Sequence, residues 1–309
     1  MLQDMATGRL ENEFRNIAAT GQVLILCFQR GQVLLRRDAD DGLTLPTLAQ
    51  MAAWQPPGQP RYLFRMQGES VFLWTEAAPA QPDQGFGYED VRRLRQLQSK
   101  EICFAVMTGW HLYNWYRTNR LCGCCGTATE HAAEERMLRC PNCGNMIFPR
   151  ISPAVIVAVT DGDRLLLSKY AGRAYTHYAL LAGYTEIGET LEQTVHREVL
   201  EEVGLQVTNI RYYKSQPWGV DGNVLMGFFC DVQGSTAIHI DETELAMADW
   251  YDRHALPAQD DGISLTREMI RIFSEGKEPK SGSPEVCHRS LAIKYLLPRR
   301  SGRRFCFRG

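Results

Sequence analysis

The sequence predicts an α+β protein, on three observations. Short apolar runs separated by turn residues fill the first third of the chain, two C-x2-C pairs crowd one short segment, and beyond them buried-type strands alternate with helical stretches. The 309 residues suffice for two or three domains. Shifts in pattern divide them into an α+β N-terminal domain (1–120), a cysteine-rich segment (121–149), a third domain (150–276) and a basic tail (277–309).

Hydrophobic residues make up 44% and charged residues 23% of the chain, which excludes a disordered or fibrous class. The 34 basic and 36 acidic residues leave a formal charge of −2, so bulk charge points to no particular partner. No apolar run approaches the ~18 residues of a membrane span, and the start MLQDMATGRLENEFRN lacks a charged-then-apolar leader. A cytoplasmic location without membrane contact is the expectation.

In the first domain QVLILCF, QVLLRR, RYLFRM and SVFLWTE read as strands, with RGQ, the Pro/Gly-rich AAWQPPGQP and QGE as turn material. The pattern predicts an antiparallel meander. AAPAQPDQGFG (77–87) ends it, and from Tyr88 to about Arg120 the spacing becomes helical, with Phe104, Trp110, Leu112 and Trp115 supplying bulk.

Cys122 and Cys125 form one pair, Cys140 and Cys143 the other, each followed by a glycine, Gly126 and Gly144. Two such turns present four thiolates to one tetrahedral ion, and a closed four-sulfur site is structural because no position stays open for substrate. One Zn²⁺ in a reducing compartment is the expectation. Cys124 stays outside the set, since using it spoils the two-residue spacing.

Beyond this segment, ISPAVIVAVT and RLLLSKY read as strands joined across DGD, VTNIRYYKS and NVLMGFFCDV as further strands, and LTREMIRIFSEG as a helix. Thr190 to Val203 reads as a helix with an apolar stripe of Leu191, Val195, Val199 and Val203. At 100° per residue Glu198, Glu201 and Glu202 lie within about 100° of one another and border that stripe. Carboxylates crowded against a buried face repel and lose hydration, unless cations compensate; hard divalent cations with oxygen ligands suit them. The alternative is a solvated acidic face neutralised by Arg197 and nearby lysines. Gly183, Gly188 and Glu189 precede the helix, so a backbone-rich turn that admits phosphate and metal leads into the cluster.

These residues resemble a known family. Gly183, Glu189, Arg197, Glu198, Val199, Glu201, Glu202, Gly204 and Leu205 reproduce the Nudix box, G-x5-E-x7-R-E-U-x-E-E-x-G-U. A zinc ribbon before the box and SQPW (Ser215, Gln216, Pro217, Trp218) after it resemble the NADH pyrophosphatase branch, the NudC-like NAD(H) diphosphatases. The resemblance covers about residues 20 to 275 and leaves out the tail, whose basic composition reads as a mobile surface segment without assigned role.

The resemblance implies a Nudix α/β/α sandwich with a mixed sheet, and metal-dependent hydrolysis of NAD(H) to AMP and nicotinamide mononucleotide. The same bond in NAD-capped RNA is a further substrate that the resemblance implies. Other dinucleotides or nucleotide sugars, or an RNA-directed cap-trimming role, are the alternatives. Glu198 and Glu202 are implied ligands of Mg²⁺ or Mn²⁺, with the Ala182 carbonyl and Glu244; Glu201 is a further ligand or the base for the attacking water. Arg197 and Glu189 are implied to brace the loop and helix rather than touch substrate. Phe148 and Tyr184 are implied to flank a base, and Glu135, Asn223 and SQPW to contact substrate; core packing or surface charge are competing uses of Phe148, Tyr184 and Glu135. Among Arg92, Arg93 and Arg95, Arg93 best matches the spacing of a substrate-contacting arginine. A homodimer is implied as well. The chain departs from the pattern after Trp218, where a Pro-Phe-Pro segment is replaced by Gly219 to Asn223, and the added Asp221 is expected to disfavour a second phosphate nearby by repulsion.

Overall fold

The computed structural model describes residues 1–5, 9–39, 42–76, 78–94, 100–172, 177–257 and 262–280. Arg95 and most of the basic tail lie outside the described residues.

The first sheet holds β1 (Leu10–Glu11), β2 (Leu24–Gln29), β3 (Gln32–Arg37), β4 (Leu43–Thr44), β5 (Pro60–Met66), β6 (Glu69–Trp74) and β7 (Phe86–Asp90), in order β1-β5-β6-β2-β3-β4 with β7 also on β3. It is not the meander the turn residues predict, because β2 and β6 run parallel, from Leu24 opposite Val71 to Cys27 opposite Trp74. Part of the supposed turn is the end of a helix, α1 (Leu48–Trp54). Thr47 Oγ1 accepts from the Gln50 amide and Gln50 Oε1 from the Thr47 amide, a reciprocal cap that starts the helix. The chain then returns on the far side of β2. The next helix, α2 (Lys100–Thr118), starts later than its periodicity suggests, since Tyr88 belongs to β7 and faces Leu34.

Alternation along β2 sends Leu26 and Phe28 to a core with Val106, Leu112 and Trp115 of α2, and Ile25 and Cys27 to a second core with Met51 of α1. Gly109 is where α2 crosses β2: a Cβ there would lie 2.2 Å from Leu26 Cδ1.

The second sheet is small, β8 (Glu130–His131), β9 (Leu138–Arg139) and β10 (Met146–Ile147), antiparallel in order β10-β9-β8. The third contains β11 (Ser152–Asp161), β12 (Arg164–Tyr170), β13 (Leu181–Tyr184), β14 (Gln206–Trp218), β15 (Asn223–Gln233) and β16 (Leu245–Asp252), in order β14-β15-β11-β12-β16 with β13 also on β11. β11 pairs parallel with β15 over nine positions, and the remaining pairs are antiparallel, so the sheet is mixed.

Helix α3 (Leu191–Val203) covers one face and α4 (Leu265–Ser274) the other. Val155, Val157 and Val159 of β11 pack with Val195, Val199 and Val203 of α3, while the intervening Ile156 and Ala158 pack with Leu265, Met269 and Phe273 of α4. A strand buried on both faces explains the unbroken apolar run PAVIVAV.

The β14–β15 hairpin turns at Gly219–Gly222 and reaches the N-terminal part of the chain. Val220 packs into the core under α2. A Cβ on Gly219 would lie 2.2 Å from the Met107 carbonyl oxygen, and one on Gly222 would lie 3.4 Å from His111 Nε2, which is itself 2.7 Å from the Arg150 carbonyl. The departure from the family pattern is thus the contact by which the third sheet docks on α2. Gly219→Ala should lower urea-unfolding stability by about 1–3 kcal/mol, because helix backbone cannot yield to the methyl. Gly87→Ala, whose Cβ would have nothing within 4 Å, should leave it unchanged.

Candidate active site

Helix α3 is built to aim its carboxylates. Its first turn is locked by a capping box, with Thr190 Oγ1 accepting from the Gln193 amide and Gln193 Oε1 from the Thr190 amide. Its last turn ends on Gly204 in a left-handed conformation (φ 70°), whose N–H bonds to Leu200. Between these stops Val195, Val199 and Val203 are fully buried, and Glu198 and Glu202, one turn apart, are dragged down beside them to 8% and 2% exposure.

The Glu198 carboxyl group lies where a side chain of residue 183 would be. A Cβ on Gly183 would fall 1.9 Å from Glu198 Cδ and about as close to both oxygens. The glycine that suggests backbone approach to phosphate therefore first makes room for a carboxylate. Its neighbour Ala182 pairs with Ile156 in the sheet, which holds this stretch of β13 in place.

Arg197 organises the surrounding charges. It donates from Nε to Glu189 Oε1 at 2.6 Å and from Nη2 to Glu189 Oε2 at 2.9 Å, a bidentate pair. Nη1 reaches Glu198 at 2.7 Å and Glu201 at 3.0 Å, and Nη2 also reaches the Tyr184 carbonyl at 2.9 Å. Glu189 further accepts from the Glu186 amide and the Thr194 hydroxyl. Hydrogen bonds from Arg197 above all, then from these two groups, hold its carboxyl down at about 2. Glu198 moves the opposite way: burial raises its pKa, Arg197 opposes that, and the charges of Glu201 and Glu244 add to the rise.

Beside this cluster, a second set of side chains forms a wall. Tyr184, half exposed at the end of β13, donates its hydroxyl to Asn223 Oδ1 at 3.1 Å. Asn223 pairs across the hairpin with Trp218, whose indole N–H donates to Asp221 Oδ2 at 3.1 Å. Arg92 Nη2 meets the other oxygen of Asp221 at 3.0 Å. The charge expected to repel a phosphate is thus already paired with an arginine of the N-terminal region. Arg93 is exposed next to it and closes a turn onto Asp90 through its backbone.

The remaining substrate candidates are spread more widely. Phe148 is half exposed between the ribbon and β11, and Glu135 is exposed within the ribbon. Ser215 and Pro217 sit in β14 opposite Met226 and Val224. Gln216 is fully buried and bonded to the Gln3 side chain, the Ile263 carbonyl and the Leu265 amide, so its side chain is taken up by the scaffold.

In the ribbon, the sulfurs of Cys122, Cys125, Cys140 and Cys143 lie within 4.8 Å of one another, with contacts of 3.4 to 3.6 Å. A tetrahedron with metal–sulfur bonds of ~2.3 Å has edges of about 3.8 Å, so the set fits one zinc ion. Gly126 and Gly144 both take φ of +74° and return their N–H groups to the Cys122 and Cys140 carbonyls. Cys124 stays outside, although its amide donates to Cys122 Sγ at 3.4 Å.

Residues 150–272 match the NUDIX domain family and residues 117–148 the NADH pyrophosphatase zinc ribbon domain. The NAD-capped RNA hydrolase NudC of Stutzerimonas stutzeri is 33% identical over 260 residues, 82% of this chain and 90% of its own. That of Chromobacterium violaceum is 40% identical over 223 residues, 70% of this chain and 83% of its own, and that of Pasteurella multocida 41% over 193 residues, 62% and 70%. The chain belongs to the NudC branch of the Nudix hydrolases.

Membership in a zinc-ribbon Nudix family calls for a structural zinc and a divalent cation at the hydrolytic site. The four thiolates fit the first. For the second, Glu198, lying against Gly183, and Glu202, one turn on, are buried hard oxygen donors, which suits a hard cation. Among the described residues only the four sulfurs are drawn together as a ligand set; Arg197 stands between Glu198 and Glu201. Sequence reasoning missed Thr194, and named Arg92 only among three candidates, behind Arg93. Thr194 is one turn along from the capping threonine and legible in hindsight, whereas Arg92 meets Asp221 across 129 residues, a contact without local signal.

Because Glu189 titrates at about 2 when folded against an ordinary 4.5, its contribution to stability is full above pH 4.5 and disappears as pH falls toward 2. Acid-unfolding curves of Glu189→Gln and the unsubstituted protein should therefore differ at neutral pH and converge over that interval.

Proposed function

We propose that the protein hydrolyses the pyrophosphate bond of NAD(H) to AMP and nicotinamide mononucleotide, and cleaves the same bond in NAD-capped RNA, with Mg²⁺ or Mn²⁺. The observation that carries this reading is the buried pair Glu198 and Glu202, with Glu198 held against Gly183 and braced by Arg197, in a chain whose relatives are named NAD-capped RNA hydrolases.

Glu198, Glu202 and the Ala182 carbonyl would hold the cation, with Glu244 near enough to act on Glu198 electrostatically. When bound, it supplies positive charge for the pyrophosphate and acidifies water. Glu201, its side chain 59% exposed, stands on the open side, where it can accept a proton from water. Arg197, itself held by Glu189, keeps Glu198 and Glu201 apart and oriented.

The wall provides recognition. Tyr184 and Trp218 offer ring faces to a base, Phe148 adds a third aromatic face, and Asn223, Arg93 and Glu135 provide polar contacts. Ser215, Gln216 and Pro217 hold the strand that ends in Trp218. Exposed Leu121, Met146, Phe148 and Ile151 leave apolar surface around the ribbon, which supports a homodimer as part of the same reading. Zinc-thiolate chemistry suits a reducing, cytoplasmic setting. No helix among the described residues is long and apolar enough to cross a membrane.

Incubation of NADH with the protein and Mg²⁺ or Mn²⁺ should give AMP and nicotinamide mononucleotide in equal amounts by mass spectrometry. Glu202→Gln should lower kcat on the order of 10³-fold. Intact NADH alongside rapid cleavage of ADP-ribose or a dinucleoside polyphosphate would sink the assignment.

A further inference from the structure

Asp221 has a place in the structure that its surface position conceals. Its two carboxylate oxygens are divided: Oδ1 takes the Arg92 guanidinium at 3.0 Å and Oδ2 takes the Trp218 indole N–H at 3.1 Å. Arg92 comes from the turn after β7, so the N-terminal region steadies a group that belongs to the Nudix sheet. The Arg92 and Asp221 side chains are 71% and 37% exposed, and a pair that open contributes little stability. Its consequence is geometric.

The turn bearing Asp221 cannot drift, because Val220 is packed under α2 and Gly219 lies against the Met107 carbonyl. Trp218 itself is half buried and pairs with Asn223, which takes the Tyr184 hydroxyl, while the Tyr184 carbonyl takes Arg197. Hydrogen bonds and strand pairing thus form one path, from the arginine that braces Glu198 to an arginine of the N-terminal region. The indole is the one aromatic on that path whose orientation is set by a charged group. A hydrogen bond to a carboxylate restricts the ring to rotamers that keep the N–H on Oδ2 and so turns the same face outward.

We propose that Asp221 is a positioning residue that fixes the Trp218 indole as a stacking wall for a planar base of the substrate, and so sets affinity for dinucleotides. The inference rests on the reading of the site as an NAD(H) hydrolase. Asp221 touches no reacting atom, and its loss leaves the carboxylates of α3 and their brace in place. The effect therefore falls on KM. A wall fixed beforehand spares the substrate the entropy of ordering it.

The test is steady-state kinetics with NADH and Mn²⁺ on the full chain, zinc loaded, with thermal melts to confirm folding. Asp221→Ala should raise KM about tenfold with kcat within about twofold, the loss expected of a charge-assisted hydrogen bond that serves binding alone. Asp221→Asn keeps an acceptor for the indole and should stay within about threefold of the unsubstituted KM. Trp218→Phe should raise KM with kcat kept, and adding Asp221→Ala to it should raise KM no further.

Equal damage from Asn and Ala, additive effects of the Trp218 and Asp221 changes, or a fall in kcat at constant KM would each overturn the proposal. If Asp221→Ala does not fold, Trp218→Phe decides alone, and an unchanged KM overturns it. An unsubstituted protein that leaves NADH intact with either metal overturns the functional reading instead, before any variant is compared.

Discussion

The contact between the Glu198 carboxylate and the bare backbone of Gly183 is the constraint on which the site depends. Helix α3 must bury Val195, Val199 and Val203 against β11, and that requirement carries Glu198 and Glu202 into the protein with them. Sinking two carboxylates one turn apart costs several kcal/mol unless cations answer them. Arg197 answers in part, while Glu189 occupies most of the guanidinium and leaves Nη1 for Glu198 and Glu201. The remaining demand for positive charge is what a divalent cation meets. Only a residue without a side chain at position 183 lets Glu198 lie where that packing puts it.

In the proposed reading, substrate recognition depends on a different contact, between regions far apart in sequence. The hairpin at Gly219–Gly222 is pressed onto α2, and Asp221 is paired with Arg92. The N-terminal sheet, whose own text suggests no chemistry, thereby helps shape the wall formed by Tyr184, Asn223 and Trp218. The ribbon holds the two regions in sequence order and is stapled by four thiolates, since three strands of two residues bury too little to stand alone.

How much of this was legible follows from how local each signal is. The helix α3, its stripe, its acidic edge and the cysteine pairs are written in spacing, and the structure places them as spacing suggests. Tyr88 misled because an aromatic at a helical interval serves a strand equally well, and pairing with Leu34 decides it. The parallel partnership of β2 and β6 was illegible because α1 hides behind proline and glycine, though Thr47 and Gln50 carry its cap. In the site, Asp221 read as an added negative charge because its partner lies across the fold. Spacing favours Arg93 over Arg92, while Arg92 is the one that reaches the hairpin.

The central claim, that Gly183 places Glu198 to share a hard cation with Glu202, is tested most directly by Mn²⁺ titration followed by electron paramagnetic resonance. Mn²⁺ affinity of Gly183→Ala should fall by about 10–100-fold relative to the unsubstituted protein, while zinc content stays at one ion per chain. Unchanged Mn²⁺ affinity in the alanine variant, with its fold and zinc intact, would contradict the account.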